Sequence, residues 1–121
     1  PYRLTLRYSS SFTPEGMESG TKDIFQDMAA TLVAIGNLDE IECAFQGDND
    51  QSWSYVLTVE ELNQALPQIV SAYNERFLNQ KDCPLYASVK DYGDSCADLD
   101  QLYEAMWWAI ELGAYKPQVQ S

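Results

Sequence analysis

The sequence predicts an α+β domain with the element order β-α-β-β-α-β-α, and three observations carry that expectation. Tyr2–Tyr8 alternates strictly, with Tyr2, Leu4, Leu6 and Tyr8 on one face and Arg3, Thr5 and Arg7 on the other. Such a period of two marks a half-buried strand. Glu40–Gln46 and Ser52–Leu57 alternate in the same way around Gly47-Asp48-Asn49-Asp50, a turn sequence that joins antiparallel strands. Three longer stretches instead place apolar residues three and four apart, the spacing that lines one face of a helix.

Taken in order, the first strand is followed by Ser9–Gly20, a loop by composition. Helix one is expected over Thr21–Ile35, with Ser19 or Thr21 as cap, Asp23 in the first turn, and a buried stripe of Ile24, Phe25, Met28, Leu32 and Ile35. Gly36 and Asn37 suit its C-terminal stop. The hairpin strands come next, with Ile41, Cys43 and Phe45 alternating in the first and Trp53, Tyr55 and Leu57 in the second. Thr58–Asn79 carries the clearest stripe in the chain, Leu62, Leu66, Ile69, Tyr73 and Phe77. Thr58 and Glu61 have capping-box spacing at its start. Pro67 interrupts it at a cost of ~3 kcal/mol in a helix interior, yet the stripe keeps phase, so one kinked helix is expected. Leu85–Val89 reads as a fourth strand with Leu85, Ala87 and Val89 inward. Ala97–Leu112 reads as a third helix stopped by Gly113.

The first six elements form the ferredoxin-like split βαβ pattern, to which the third helix is an addition. Residues 1–113 are expected to make a single α+β domain, and 114–121 a flexible tail. Right-handed crossovers would set helices one and two on one sheet face, leaving the other open unless the third helix covers it. The first and last strands would be neighbours, so Arg3, Arg7 and Lys90 would gather in a small basic patch. On the third helix, Leu99, Leu102, Tyr103, Met106 and Ile110 form one stripe, and Trp108 lies opposite with Leu112 beside it.

With 121 residues and 45% hydrophobic composition, the chain is long enough for one domain with a real core. No apolar run approaches the ~20 residues of a membrane-spanning helix, and no signal peptide is recognisable. Cys43, Cys83 and Cys96 form no C-x-x-C pair, so reduced thiols and a cytoplasmic location are expected, with a single disulfide as the alternative. The net charge of −12 arises as much from missing bases as from added acids, since charged residues are only 21% of the chain. No Lys or Arg occurs from Asp23 to Glu75, against ten carboxylates. Such a field repels phosphate backbones and anionic membranes and draws basic partners, so neither nucleic acid nor membrane is expected as a ligand.

Much catalytic chemistry is excluded outright. There is no histidine, which removes Ser-His-Asp and Cys-His mechanisms and His-ligated zinc. Cys96 precedes a helix that could lower its pKa, but Asp91, Asp94, Asp98 and Asp100 oppose this. Asp48-Asn49-Asp50 begins like a calcium loop but has Trp53 where Gly is required and Val59 where Glu is required, so no metal is expected. Gly16–Lys22 fails phosphate-loop spacing, and Glu15 and Glu18 would repel phosphate. No cofactor is expected.

The leading expectation is therefore a protein-binding module of the inhibitor, immunity or antagonist kind. It would dock on a basic nuclease or other nucleic-acid-handling partner, in its sharper form as a DNA mimic. Its contact residues are expected among Asp48, Asp50, Glu60, Glu75, Asp98, Asp100, Glu104, Trp108 and Glu111. The alternative is enzymatic. Pro1 followed by a strand, a helix and a second strand resembles the tautomerase superfamily, whose βαβ units begin with a catalytic proline. That resemblance implies Pro1 as general base, with Arg3 or Arg7 binding a carboxylate substrate. A homodimer through the open sheet face is the third expectation.

Overall fold

The computed structural model describes residues 2–9, 18–47 and 51–120. Strand β1, Tyr2–Ser9, runs parallel to β2, Leu38–Gln46, and the first helix, α1 (Glu18–Ala34), lies between them in sequence. The reason for this pairing is visible across the two strands. On one face Arg3 reaches Glu40 at 2.6 Å and Glu42 at 2.9 Å; on the other Tyr8 stacks on Phe45 at 5.2 Å. Strand β3, Ser52–Thr58, then pairs antiparallel with β2, and its residues Ile41↔Leu57, Cys43↔Tyr55 and Phe45↔Trp53 fall opposite one another as their alternation requires.

The fold is α+β with a four-stranded mixed sheet, but the strand order is β1-β2-β3-β4, which differs from the split βαβ order. There the hairpin's second strand would sit between β1 and β2, and the final strand would flank β1. Here β3 lies outside β2, and the expected strand at Leu85–Val89 does not form. Segment 81–88 is irregular and leads into a 3-10 turn, Val89–Asp94. Side chains of the second long helix, α2 (Val59–Arg76), take its backbone groups away from any ladder. The Val89 N–H donates to Asn63 Oδ1 at 2.7 Å, and Asn74 binds both the N–H and the C=O of Cys83. Leu85 is 55% exposed rather than inward, while Val89 is fully buried.

Lys90 accordingly joins no basic patch with Arg3 and Arg7. Its Nζ donates to the carbonyls of Leu32, Ile35 and Leu38, where α1 ends and β2 begins. A helix C-terminus exposes unsatisfied carbonyls and a partial negative charge, and an ammonium answers both. Ile35, expected in the buried stripe of α1, is 42% exposed at this same end.

Helix α2 starts where its capping residue predicts, with Thr58 accepting the Glu61 N–H at 3.0 Å, and runs unbroken through Pro67. The third helix, α3 (Cys96–Glu111), begins at Ser95, which accepts the Asp98 N–H, and ends at Leu112 before Gly113 with φ 78°. Only glycine takes that left-handed conformation at no steric cost.

Helices α1 and α2 pack on one face of the sheet, and α3 packs on α1 and α2 rather than on the sheet. The core thus lies in two planes. One holds Ile41, Cys43, Tyr55 and Leu57 beneath Phe25, Met28 and Leu66; the other holds Leu102, Ala105, Met106 and Ala109 against the helices. Each large apolar side chain buried this way contributes about 1.5–3 kcal/mol. The opposite sheet face, with Thr5, Glu42, Ala44, Ser54 and Val56, is covered by no described helix. The segment after Gly113 makes two contacts with the rest of the domain. Tyr115 is buried against Phe25, and β4, Val119–Gln120, pairs with Ser54 and Tyr55 of β3. Among the described residues no helix is long and apolar enough to cross a membrane. All three cysteines are free; burial pushes the thiols of Cys43 and Cys83 up to about 11, and Cys96 is exposed.

Candidate protein-binding surface

A protein with few bases must satisfy its carboxylates with something else, and here tyrosine does it. Tyr73 donates to Glu104 at 2.9 Å, Tyr86 to Asp98 at 2.7 Å, Tyr103 to Asp27 at 2.9 Å and Tyr115 to Glu61 at 3.1 Å. Each bond joins two different elements or segments, so the phenol does the structural work of a lysine. It adds no positive charge, so the carboxylate's field remains.

Three places collect that field beside a ring. The first surrounds Tyr86, whose hydroxyl proton is held above its ordinary pKa by the bond to Asp98, by burial, and by Asp91 and Asp94 on the 3-10 turn. Ser95 fixes Asp98 in this group by starting α3 one turn away. The second lies between α1 and α3, where Asp27 and then Asp23 raise the pKa of Tyr103. Buried Gln26 locks the two helices in register there by donating to the Tyr103 carbonyl at 2.8 Å. The third is a hollow of about 900 Å³ lined by Tyr2, Arg3, Asp39, Glu40, Thr58 and Glu60 among others. Tyr2, 65% exposed, is held over it by its N–H bond to Asp39 at 3.1 Å. A ring beside carboxylates suits Lys and Arg, which gain both a cation–π contact and charge-assisted hydrogen bonds.

Four of the seven bases are engaged within the chain. Arg3 is held by Glu40 and Glu42, and it holds the Glu42 carboxyl below its ordinary pKa. Lys22 pairs with Glu111 at 2.7 Å and lies over the Trp107 ring. Lys90 closes the end of α1, and Arg76 lies over both Phe77 and Trp108.

The residues singled out from the sequence fall in several places. Glu60 sits in the hollow with Asp39 and Glu40, and Asp98 in the group with Asp91 and Asp94. Glu104 is exposed and bonded by Tyr73; Glu75 is exposed near the end of α2 and bonded by Ser71; Asp100 is exposed on α3. Glu111 is occupied by Lys22. Trp108 is no free anchor: it is half-buried edge-on to Phe77 at 5.1 Å, with Arg76 across it. Asp48, Asp50 and Pro1 lie outside the described residues. Of the expected substrate-binding bases, Arg3 is committed to two carboxylates, while Arg7 is exposed beside Glu42 in a shallow hollow of about 400 Å³.

Sequence reasoning passed over Tyr2, Tyr86, Tyr103, Asp23, Asp27 and Asp39. The signal was available as eight tyrosines set against seven bases. Among the described residues no group of three or more Cys, Asp or Glu side chains could hold a metal ion. No family model matches the chain, and neither a curated protein nor a solved structure matches it.

Proposed function

We propose that this protein works by binding a basic protein partner, as an inhibitor, immunity or antagonist module directed at a nuclease or another nucleic-acid-handling protein. The observation that carries the reading is the way charge is distributed between donors. Carboxylates are held by tyrosine hydroxyls, which leave their charge intact, while Arg3, Lys22, Arg76 and Lys90 are spent on internal contacts. A nuclease recognises phosphate through Lys and Arg, so its substrate site meets in these clusters a surface of opposite charge, as it does in phosphate. Steering of this kind raises association to ~10⁸–10⁹ M⁻¹s⁻¹ at low salt.

The test is stopped-flow association with a panel of basic nucleases between about 20 mM and about 500 mM NaCl, across which the screening length falls several-fold. The association rate with the true target class is expected to fall at least ~10-fold, and duplex DNA is expected to compete for the nuclease. Binding that is absent across the panel, or indifferent to salt, overturns the proposal.

A further inference from the structure

Exposed charge pairs contribute only about 0–1 kcal/mol each, so the acidic clusters can guide a partner but cannot by themselves hold it. An apolar contact with fixed geometry must do that, and strand β1 offers one. Its outer edge is unpaired by any described residue, because the strand expected there, Leu85–Val89, is an irregular segment and a 3-10 turn instead. Natural sheets blunt such edges with lysine, proline or very short strands. This one is eight residues long and contains neither Lys nor Pro; its two charged residues, Arg3 and Arg7, alternate onto the sheet face opposite Leu4 and Leu6.

The inner face beside that edge is also incomplete. Helix α1 packs over β2 and β3, so Ile41 and Cys43 on β2 are buried while their partners Leu4 and Leu6 on β1 are only half-buried and Tyr8 is 47% exposed. Between β1 and α1 lies a groove of about 310 Å³ lined chiefly by Leu6, Tyr8, Ile24, Met28 and Thr31. Asp27, exposed and carrying the Tyr103 hydroxyl, stands on its rim. An unpaired edge supplies backbone hydrogen bonds, and a flanking groove takes every second side chain of an added strand.

We infer that β1 is the docking edge for an extended segment of the basic partner, which adds to the sheet as a further strand. Its inward side chains are apolar and fill the groove, and one inward Lys or Arg reaches Asp27. This rests on the binding function proposed above and specifies its mode. A second copy of this chain is the disfavoured occupant, since it would bring another net charge of −12 against the first.

The probe is the synthetic eight-residue peptide Thr-Val-Thr-Val-Thr-Val-Thr-Lys, whose Lys shares the face of the three Val side chains, titrated into the full-length protein while backbone amide resonances are followed. Its control has the same sequence methylated on the amides that would face β1, which removes donors without altering charge. The expected result is shifts confined to Tyr2–Ser9 and to Ile24–Thr31, at least ~10-fold weaker binding of the methylated peptide, and a similar loss with Asp27→Lys. Equal binding of both peptides, or shifts centred on Tyr86 and Asp98, overturns strand addition while leaving the basic-partner function standing. Failure of the peptide together with failure of the whole nuclease panel overturns both. Shifts in β1 that instead track protein concentration, with a dimer by sedimentation, overturn the choice of occupant.

Discussion

Lys90 is the residue whose role departs furthest from its sequence context. It sits in a stretch of alternating apolar residues, and nothing within several positions marks it as special. In the fold it arrives at the end of α1 and gives its three donors to the carbonyls of Leu32, Ile35 and Leu38. Burial lowers its pKa, with Asp39 acting in the opposite sense. The geometry nevertheless calls for the ammonium, because a neutral amine would have only two N–H groups for three acceptors. Lys90→Met keeps the aliphatic stem and strips the donors, leaving part-buried carbonyls unsatisfied. A loss of about 1–3 kcal/mol is expected. In urea denaturation this reads as a lower midpoint with an unchanged slope, and an unchanged midpoint would deny Lys90 its bridging role. Glu111 and Trp108 teach the same lesson from the other direction. Both look free on a helical projection, and both are engaged by bases far away in sequence, Lys22 and Arg76. Periodicity reports which face of an element a residue occupies; it carries no information on which long side chain from another element will lie across it.

At the scale of elements, the segments that the sequence makes legible are those with local causes. Thr58 caps α2, Gly113 takes a positive φ after α3, and the alternating residues of the hairpin strands fall on one buried face. The strand expected at Leu85–Val89 had the right alternation too. Its Val89 N–H goes instead to the side chain of Asn63 and its Tyr86 N–H to the Tyr92 hydroxyl, partners that no alternation pattern reveals. Its loss also determines which edge of the sheet is free, so the most consequential feature of the candidate site was the least legible one. Pro67 is the opposite case, a local violation that the fold tolerates. It is exposed, lies within an unbroken Val59–Arg76, and deprives the helix of one hydrogen bond. Because Leu66, Ile69 and Val70 on either side remain buried, the packing rather than the backbone holds this turn. Pro67→Ala should therefore raise stability by about 1–3 kcal/mol, since the lost donor returns at an exposed position. A thermal melt showing a lower midpoint would mean that the proline geometry itself is required by the packing of α3 on α2.

For the whole molecule, the exchange of lysine for tyrosine as the carboxylates' partner ties stability to pH in a way an ordinary acidic protein would not show. The hydroxyls of Tyr73 and Tyr92 are pushed up to about 12, chiefly by burial, and that of Tyr115 is raised by burial and then by Glu61. A group whose folded pKa lies above its unfolded value favours the fold while protonated. Its contribution is complete below the ordinary tyrosine value of 10.0 and is lost as pH rises through the folded value, about 12 for two of these groups. Each linked proton lowers stability by about 1.4 kcal/mol per pH unit inside that window. New phenolate charge is meanwhile added to a chain already at −12. At the acid end Glu42 has the opposite sign. Its carboxyl is held down first by its hydrogen bond from Arg3, so its contribution is present above the ordinary value of 4.5 and is lost as pH falls through the folded one. The contribution is small, because the Arg3 side of the pair is half exposed and water screens it. Urea titrations from pH 7 to about 12 should therefore show a plateau to about pH 9, a decline from there as the buried thiols of Cys43 and Cys83, pushed up to about 11, begin to contribute with the same sign, and a steeper decline above about pH 10 where the tyrosines join them. Tyr115→Phe, which keeps the ring packed on Phe25 but removes the titrating proton, should make that decline shallower by roughly one proton's worth of slope. A decline of unaltered steepness in Tyr115→Phe would take Tyr115 out of the alkaline sensitivity and leave it to the other raised groups or to charge repulsion. Added salt separates the two causes, since it screens repulsion across the surface but leaves the proton affinity of a buried phenol nearly untouched.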